Sequence, residues 1–132
     1  MAYQDIREHL AALESKGILK RIQKNVDHTW ELACLARWMF QALPDHERFG
    51  LLFERVKGFN IPVMTGVLGA SRATYATALE VEPEDINEKW VQALRNPIAP
   101  EESRSAPCQE VILEGNSVDL SSLPIPIWTP GK

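Results

Sequence analysis

The chain has 132 residues and a mass of 14.9 kDa, which fits one domain at the usual ~100–200 residues per domain. Hydrophobic residues at 45% and charged residues at 24% exclude wholesale disorder and fibrous repetition. Fourteen basic against 18 acidic residues give a net charge of −4 without a basic stripe, which argues against a nucleic-acid partner.

From the N-terminus, Ile6, Leu10 and Leu13 fall on one helical face, and Gly17 stands where helices commonly stop, which predicts a helix over about Asp5 to Lys16. In ILKRIQKNV, Ile18, Ile22 and Val26 share one side of an extended strand and Lys20 and Lys24 interrupt it, the mark of an edge strand. Asp27 or Thr29 is the expected cap of the next helix, with Glu31 in its first turn. Leu32, Leu35, Ala36, Met39, Phe40 and Leu43 follow the i, i+3, i+4 pattern. After a polar connection, LLFERV and IPVMTGV read as strands around a turn at Gly58, joined as a hairpin or by a longer connection. Gly66 and Gly69 open a loop before Ser71, which can cap a helix through Tyr75 and Leu79. Pro83, Glu84 and Asp85 suit the first turn of a further helix, whose expected buried stripe is Ile86, Trp90 and Leu94, ended by Asn96-Pro97.

Six of the nine prolines lie in the last 36 residues. PIAPEESRSAP reads as an extended linker, and CQEVILEGNSVDL as two strands around a turn at Glu114 to Ser117. SSLPIPIWTPGK is too rich in proline for helix or interior strand. Its Leu123, Ile125, Ile127 and Trp128 call for a surface to dock on, because exposed apolar area costs ~25 cal/mol per Å2. The expected fold is α/β (α+β): a small mixed sheet of about four to six short strands flanked by about four helices.

Few residues point to chemistry. GVLGASR could present backbone N–H groups, Ser71 and Arg72 to an anion, but its glycines serve a tight strand-to-helix turn equally well, and the spacing matches no phosphate-binding fingerprint. His9, His28 and His46 fall in separate segments, which favours solvated or capping roles over a shared metal site. Cys34 and Cys108 lie 74 positions apart without ligand spacing, and both are expected to be small buried hydrophobes. No nucleophile elbow surrounds any serine, and Glu54 beside Arg55 reads as a pair of strand charges. Trp30, Trp38 and Trp90 belong to predicted helices. Trp38 lies off its helix's apolar face and marks a second contact surface. No run approaches the ~20 apolar residues of a membrane span, and MAYQDIREHL is too polar for a signal peptide, so a cytoplasmic chain is expected.

Taken in order, IREHLAALESKGILKRI, LLFERVKGFNIPVMTGVLGASRATYATAL and VILEGNSVDLSSLPIPIWTPGK resemble the N-terminal region of the UbiD-type decarboxylases over nearly the whole chain. Leu52 to Gly58, Gly69 to Arg72 and Leu120 to Pro126 carry the likeness. Gly66 departs from it where many members have Asn, and Leu79-Glu80 replaces a common Leu-Gly.

The resemblance implies a reversible, non-oxidative decarboxylation of an aromatic or α,β-unsaturated acid by prenylated FMN held with a divalent metal (Mn) and a monovalent cation (K). In that family these sit in a central flavin-binding split-barrel domain with a Glu-Arg-Glu set, none of which matches this chain. By the same resemblance, residues 1–120 form an N-terminal α/β domain with no catalytic, cofactor or metal residue. Residues 121–132 form a proline-rich crossing that docks through Leu123, Ile125, Ile127 and Trp128. The parent enzyme would be a homo-oligomer, with its flavin-binding and C-terminal domains as the partners of this one. Two other readings stay open: a separate accessory subunit of a multi-chain decarboxylase, and a small anion-binding module built on Gly66 to Arg72.

Overall fold

The computed structural model describes residues 3–129. Its elements run α1 (Ile6–Ser15), β1 (Leu19–Ile22), α2 (Glu31–Ala42), β2 (Gly50–Phe53), β3 (Val63–Thr65), α3 (Arg72–Leu79) and α4 (Ile86–Arg95), with short 3-10 turns between and after them. The α+β expectation and the four helices hold. The sheet has three strands among the described residues, fewer than expected, in the order β1-β2-β3.

The starts of α1 and α2 have a local chemical cause. The Asp5 carboxylate accepts the backbone N–H groups of Arg7 at 2.7 Å and Glu8 at 3.3 Å, satisfying donors that the first turn of α1 leaves unpaired. Before α2, Asp27 accepts from the backbone of Thr29 and Trp30 and from the Thr29 hydroxyl. Glu31 reaches back to the Asp27 N–H at 2.8 Å. Both carboxylates meet the positive end of the helix and are held below the usual range, Asp27 chiefly by the Thr29 hydroxyl and Glu31 chiefly by the Asp27 backbone N–H.

The β1-α2-β2 segment is a parallel crossover, with Leu19 opposite Gly50 and Ile22 opposite Phe53. β3 returns antiparallel, pairing Leu51 with Thr65 and Phe53 with Val63. The connection from β2 to β3 is the longer of the two forms considered, because it detours to bridge Val56 with Val26 and Phe59.

All four residues of the central strand β2 are buried, as a strand covered on both faces requires. Alternation along it divides the core. Leu51 and Phe53 pack with Leu32, Ala36 and Met39 of α2, while Leu52 packs with Leu13 of α1, Leu19 and Val67.

This two-sided cover corrects the reading of β1. Ile22 and Val26 do face α2, but Ile18 packs on the α1 side and Leu19 is the strand's buried residue. β1 is nonetheless an edge, as its lysines suggested. Arg21 on its α1 side donates to Glu14 at 2.6 Å and to Glu54 at 2.9 Å.

Two sequence expectations fail beyond α3. Ile86, Trp90 and Leu94 form no buried stripe: α4 has no buried residue, and Trp90 is held to α3 by donating its indole N–H to the Tyr75 hydroxyl at 2.9 Å. The helix is amphipathic, and among the described residues its apolar face is only partly covered, at Ile86 and through the Trp90–Tyr75 contact. CQEVILEGNSVDL likewise forms no strands; 3-10 turns occupy Pro107–Gln109, Gly115–Ser117 and Leu120–Ser122. A strand needs a neighbour for its backbone groups, and no strand of the domain lies beside this segment.

Candidate functional site

The turn from Gly66 to Arg72 links β3 to α3. Gly66 has φ +69°, and a Cβ there would stand 3.1 Å from Met39 Cε and 3.2 Å from Ala70 Cβ, so the turn is packed directly on the core. Ser71 is the cap of α3, as expected, and the cap is reciprocal. Its hydroxyl accepts the Thr74 N–H at 3.2 Å, and the Thr74 hydroxyl accepts the Ser71 N–H at 3.0 Å, with both side chains buried.

The first N–H of α3 already faces an anion. Arg72 N–H donates to Asp45 Oδ2 at 3.3 Å, and its guanidinium donates to the Pro83 carbonyl at 2.8 Å. Asp45 belongs to the short turn after α2, and no local sequence signal ties it to residue 72. The expected role of Ser71 and Arg72 toward an external anion therefore competes with a carboxylate supplied by the chain itself, a structural use of the helix end.

The tail lies against α2. Ile127 N–H donates to the His28 carbonyl at 3.2 Å, and Pro124 is buried. Ile127 and Trp128 line one wall of a groove whose other wall is Trp30, Cys34, Arg37 and Phe40. Trp128 keeps 52% of its surface, Leu123 44% and Ile125 50%, so the tail is anchored through its backbone and Pro124 while its larger side chains stay uncovered. Trp30 and Trp38, 57% and 55% exposed, extend this apolar face along α2. Trp38 is thus exposed and off the buried face of its helix, where its spacing put it.

The histidines do not converge. His9 is buried, contrary to the solvated or capping role expected: α3 and the β3–α3 turn close over it. Its Nε2 lies 2.8 Å from the Val67 carbonyl and so carries the proton, leaving Nδ1 without a hydrogen-bond partner beside the Tyr3 ring. His28 packs edge-on against Phe59, and His46 is exposed, 3.6 Å from Glu47. Cys34 and Cys108 are both exposed, not buried as expected, because Cys34 is on the outer side of α2 and Cys108 on the uncovered segment after α4. Glu54 pairs with Arg21 across the strands.

Among the described residues no group of three or more His, Cys, Asp or Glu is placed to hold a metal ion. The α3 terminus that would suit a phosphate faces Asp45. These donors do not fit a divalent metal or a flavin phosphate, and no chemical step is assigned to them. No described helix is long and apolar enough to cross a membrane.

Comparison with known proteins bears on this arrangement directly. The family described as the 3-octaprenyl-4-hydroxybenzoate carboxy-lyase N-terminal domain (UbiD_N) matches residues 10–94. An evolved dimeric form of the UbiD-class enzyme HmfF from Pelotomaculum thermopropionicum, solved with prFMN, is 40% identical with a TM-score of 0.78, over 94% of this chain and 28% of that one. HmfF from the same organism with FMN is 43% identical with a TM-score of 0.74, over 92% and 26%. The vanillic acid decarboxylase of Sedimentibacter hydroxybenzoicus in its open form is 26% identical with a TM-score of 0.68, over 84% and 25%. The chain thus spans about a quarter of the length of the enzymes it matches. With the two-sided core, the α3 turn and the family match all within residues 10–94, this chain belongs to the UbiD family, as an N-terminal domain.

Proposed function

We propose that this chain is the N-terminal domain of a reversible, non-oxidative decarboxylase of aromatic or α,β-unsaturated carboxylic acids. It packs against the domain that holds prenylated FMN, with Mn and K as the accompanying ions, and shapes one side of the active-site cleft. The observation that carries the reading is the coverage: 94% of this chain matches only 28% of an HmfF chain that was solved with prFMN. The vanillic acid decarboxylase likeness supports an aromatic acid as substrate class. The parent is a cytoplasmic homo-oligomer in this reading, and its chemistry belongs to residues outside this chain. This chain's part is to bind and orient its neighbour through Leu123, Ile125, Ile127 and Trp128.

The test is association of the 132-residue chain with a separately produced flavin-binding domain of the same enzyme. Trp128→Ala is expected to weaken binding at least tenfold, the loss of a buried aromatic anchor worth about 2 kcal/mol, with helix content unchanged. Absence of association with either form refutes the docking role. Unfolding of the variant makes Trp128 part of the domain's own core.

A further inference from the structure

The stretch between α4 and the anchored tail is built unlike the rest of the chain. From residue 87 to residue 123 every side chain except that of Ala106 is exposed. Within it lie Val111, Ile112 and Leu113, 74%, 66% and 57% exposed, then a turn at Gly115–Ser117, then Val118 and Leu120. A linker has no use for three consecutive large apolar residues. In a strand, such a run places apolar groups on both faces, the pattern of strands covered on both sides, as β2 is in this domain.

The backbone points the same way. No backbone hydrogen bond involves the N–H groups of Val111, Ile112 or Leu113 among the described residues, whereas the turns flanking them are internally bonded. Both roots of the stretch are fixed to the domain. α4 is held to α3 through Trp90 and Tyr75, and the tail is held to the turn before α2 through Ile127 and His28. The result is an arm with two apolar segments around a preformed turn: the amides of the first are unpaired among the described residues, while Val118 N–H and the carbonyls of Asp119 and Leu120 are tied into their own turns.

We infer that Glu110 to Leu113 and Val118 to Leu120 are a strand-forming arm that pairs, through its backbone, with the open edge of a β-sheet in the body that follows this domain. The inference rests on the reading of the chain as the first domain of a longer decarboxylase. It extends the contact with the next body upstream of residue 121, so that the packed domain ends near Arg95, in line with a family match that stops at residue 94. The matched enzymes supply the partner's size: about three-quarters of their length lies outside the part this chain covers. A sheet edge is the partner that answers both unsatisfied features at once, the free amides and the two-faced apolar run.

The experiment compares amide hydrogen exchange in the 132-residue chain with that in the endogenous polypeptide captured from its source cells, after its intact mass is measured. For an endogenous product much larger than 14.9 kDa, amides 111–113 are expected to exchange at least about a hundredfold more slowly than in the short chain. Amides 51–53 of β2 should be protected in both. In the longer polypeptide, the double substitution Val111→Pro/Ile112→Pro, which removes N–H groups pointing both ways, is expected to abolish protection at Leu113. Ile112→Val should leave it intact, with β2 amides reporting that the domain stays folded.

A longer polypeptide whose 111–113 amides exchange as fast as in the short chain overturns the arm while leaving the proposed function standing. Retained protection at Leu113 in the double-proline variant assigns the effect to side-chain burial and overturns strand pairing. Protection in the short chain that rises with its concentration assigns the partner to a second copy and also overturns the proposal. An endogenous product of 14.9 kDa overturns the arm and the proposed function together.

Discussion

Glu80 ends α3 in the left-handed region, at φ 55° and ψ 44°, the one described non-glycine residue with positive φ. The geometry is a Schellman closure: Glu80 N–H donates to the Thr77 carbonyl at 3.2 Å and Val81 N–H to Ala76 at 3.1 Å. Those bonds do not depend on the side chain at 80, so Glu80→Gly keeps them and removes the Cβ clash. An L-residue in this region costs about 1–2 kcal/mol, and the extra freedom of glycine in the unfolded chain returns about 0.5–1 kcal/mol of that. Measured against Glu80→Ala, in which the carboxylate's contacts are equally absent, the net expectation is a gain of about 0.5–1 kcal/mol. Unfolding entropy for ~130 residues is about 0.28 kcal/mol per kelvin, so the melting temperature should rise by about 2–4 °C.

The assay is thermal and urea unfolding of the wild type, Glu80→Gly, Glu80→Asn and Glu80→Ala. Ala keeps the backbone penalty and removes the carboxylate with all of its contacts, its action on the Tyr3 hydroxyl included, as Gly does. Ala is therefore the reference state, and Gly and Asn should rise above it. A Gly variant no more stable than the Ala variant would refute the claim that backbone strain at residue 80 limits stability.

Phe53 is fully buried in the central strand, and Phe53→Ala should cost about 3–5 kcal/mol in urea titrations; Trp38→Ala, at an exposed position, should cost under about 0.5 kcal/mol. Equal effects would contradict the assignment of core and surface. Ser71→Ala removes the reciprocal cap and leaves the Thr74 amide buried without its acceptor, for a loss of about 1 kcal/mol that Ser71→Thr should largely restore. Hydrogen bonds from Arg21 hold the Glu14 carboxyl below its usual range. A lowered folded value means this contribution is complete above the unfolded value of about 4.3 and fades as pH falls through the folded one. Arg21→Met should accordingly flatten the decline in urea midpoint below about pH 4.5, and identical pH profiles for the two proteins would count against the pairing.

What could be read from the sequence was local. α1, α2 and α3 follow from apolar spacing and from caps within four residues, and the Asp27–Glu31 pair is visible in the letters because both partners sit in the same turn. What could not be read was contact across the chain. Asp45 meets Arg72 through the fold alone, and His9 is buried because Val67 comes to cover it, 58 positions away. The stripe on α4 and the two strands after it were misplaced for one reason. Periodicity registers that a face wants cover, but not whether the cover belongs to the same chain. The two departures from the family pattern have a backbone meaning as well. Gly66, where the resemblance implies Asn, has a positive φ that both residues tolerate, whereas Glu80, where it implies Gly, has a positive φ at which Glu is strained.

The buried core closes with α3, since Tyr3 and Lys16 reach Thr77 and nothing buried follows until Pro124. At ~5–20 residues per second, a ribosome that has released Leu79 still has several seconds of synthesis before the chain reaches Lys132. The domain can therefore be folded while Val111, Ile112 and Leu113 are still emerging, and nothing in the folded domain takes these residues out of water. Glu110 and Glu114 bracket them at both ends. Charges in those positions disfavour stacking of the apolar triplet against the same segment of another copy, the pattern by which flanking charges guard an exposed apolar run.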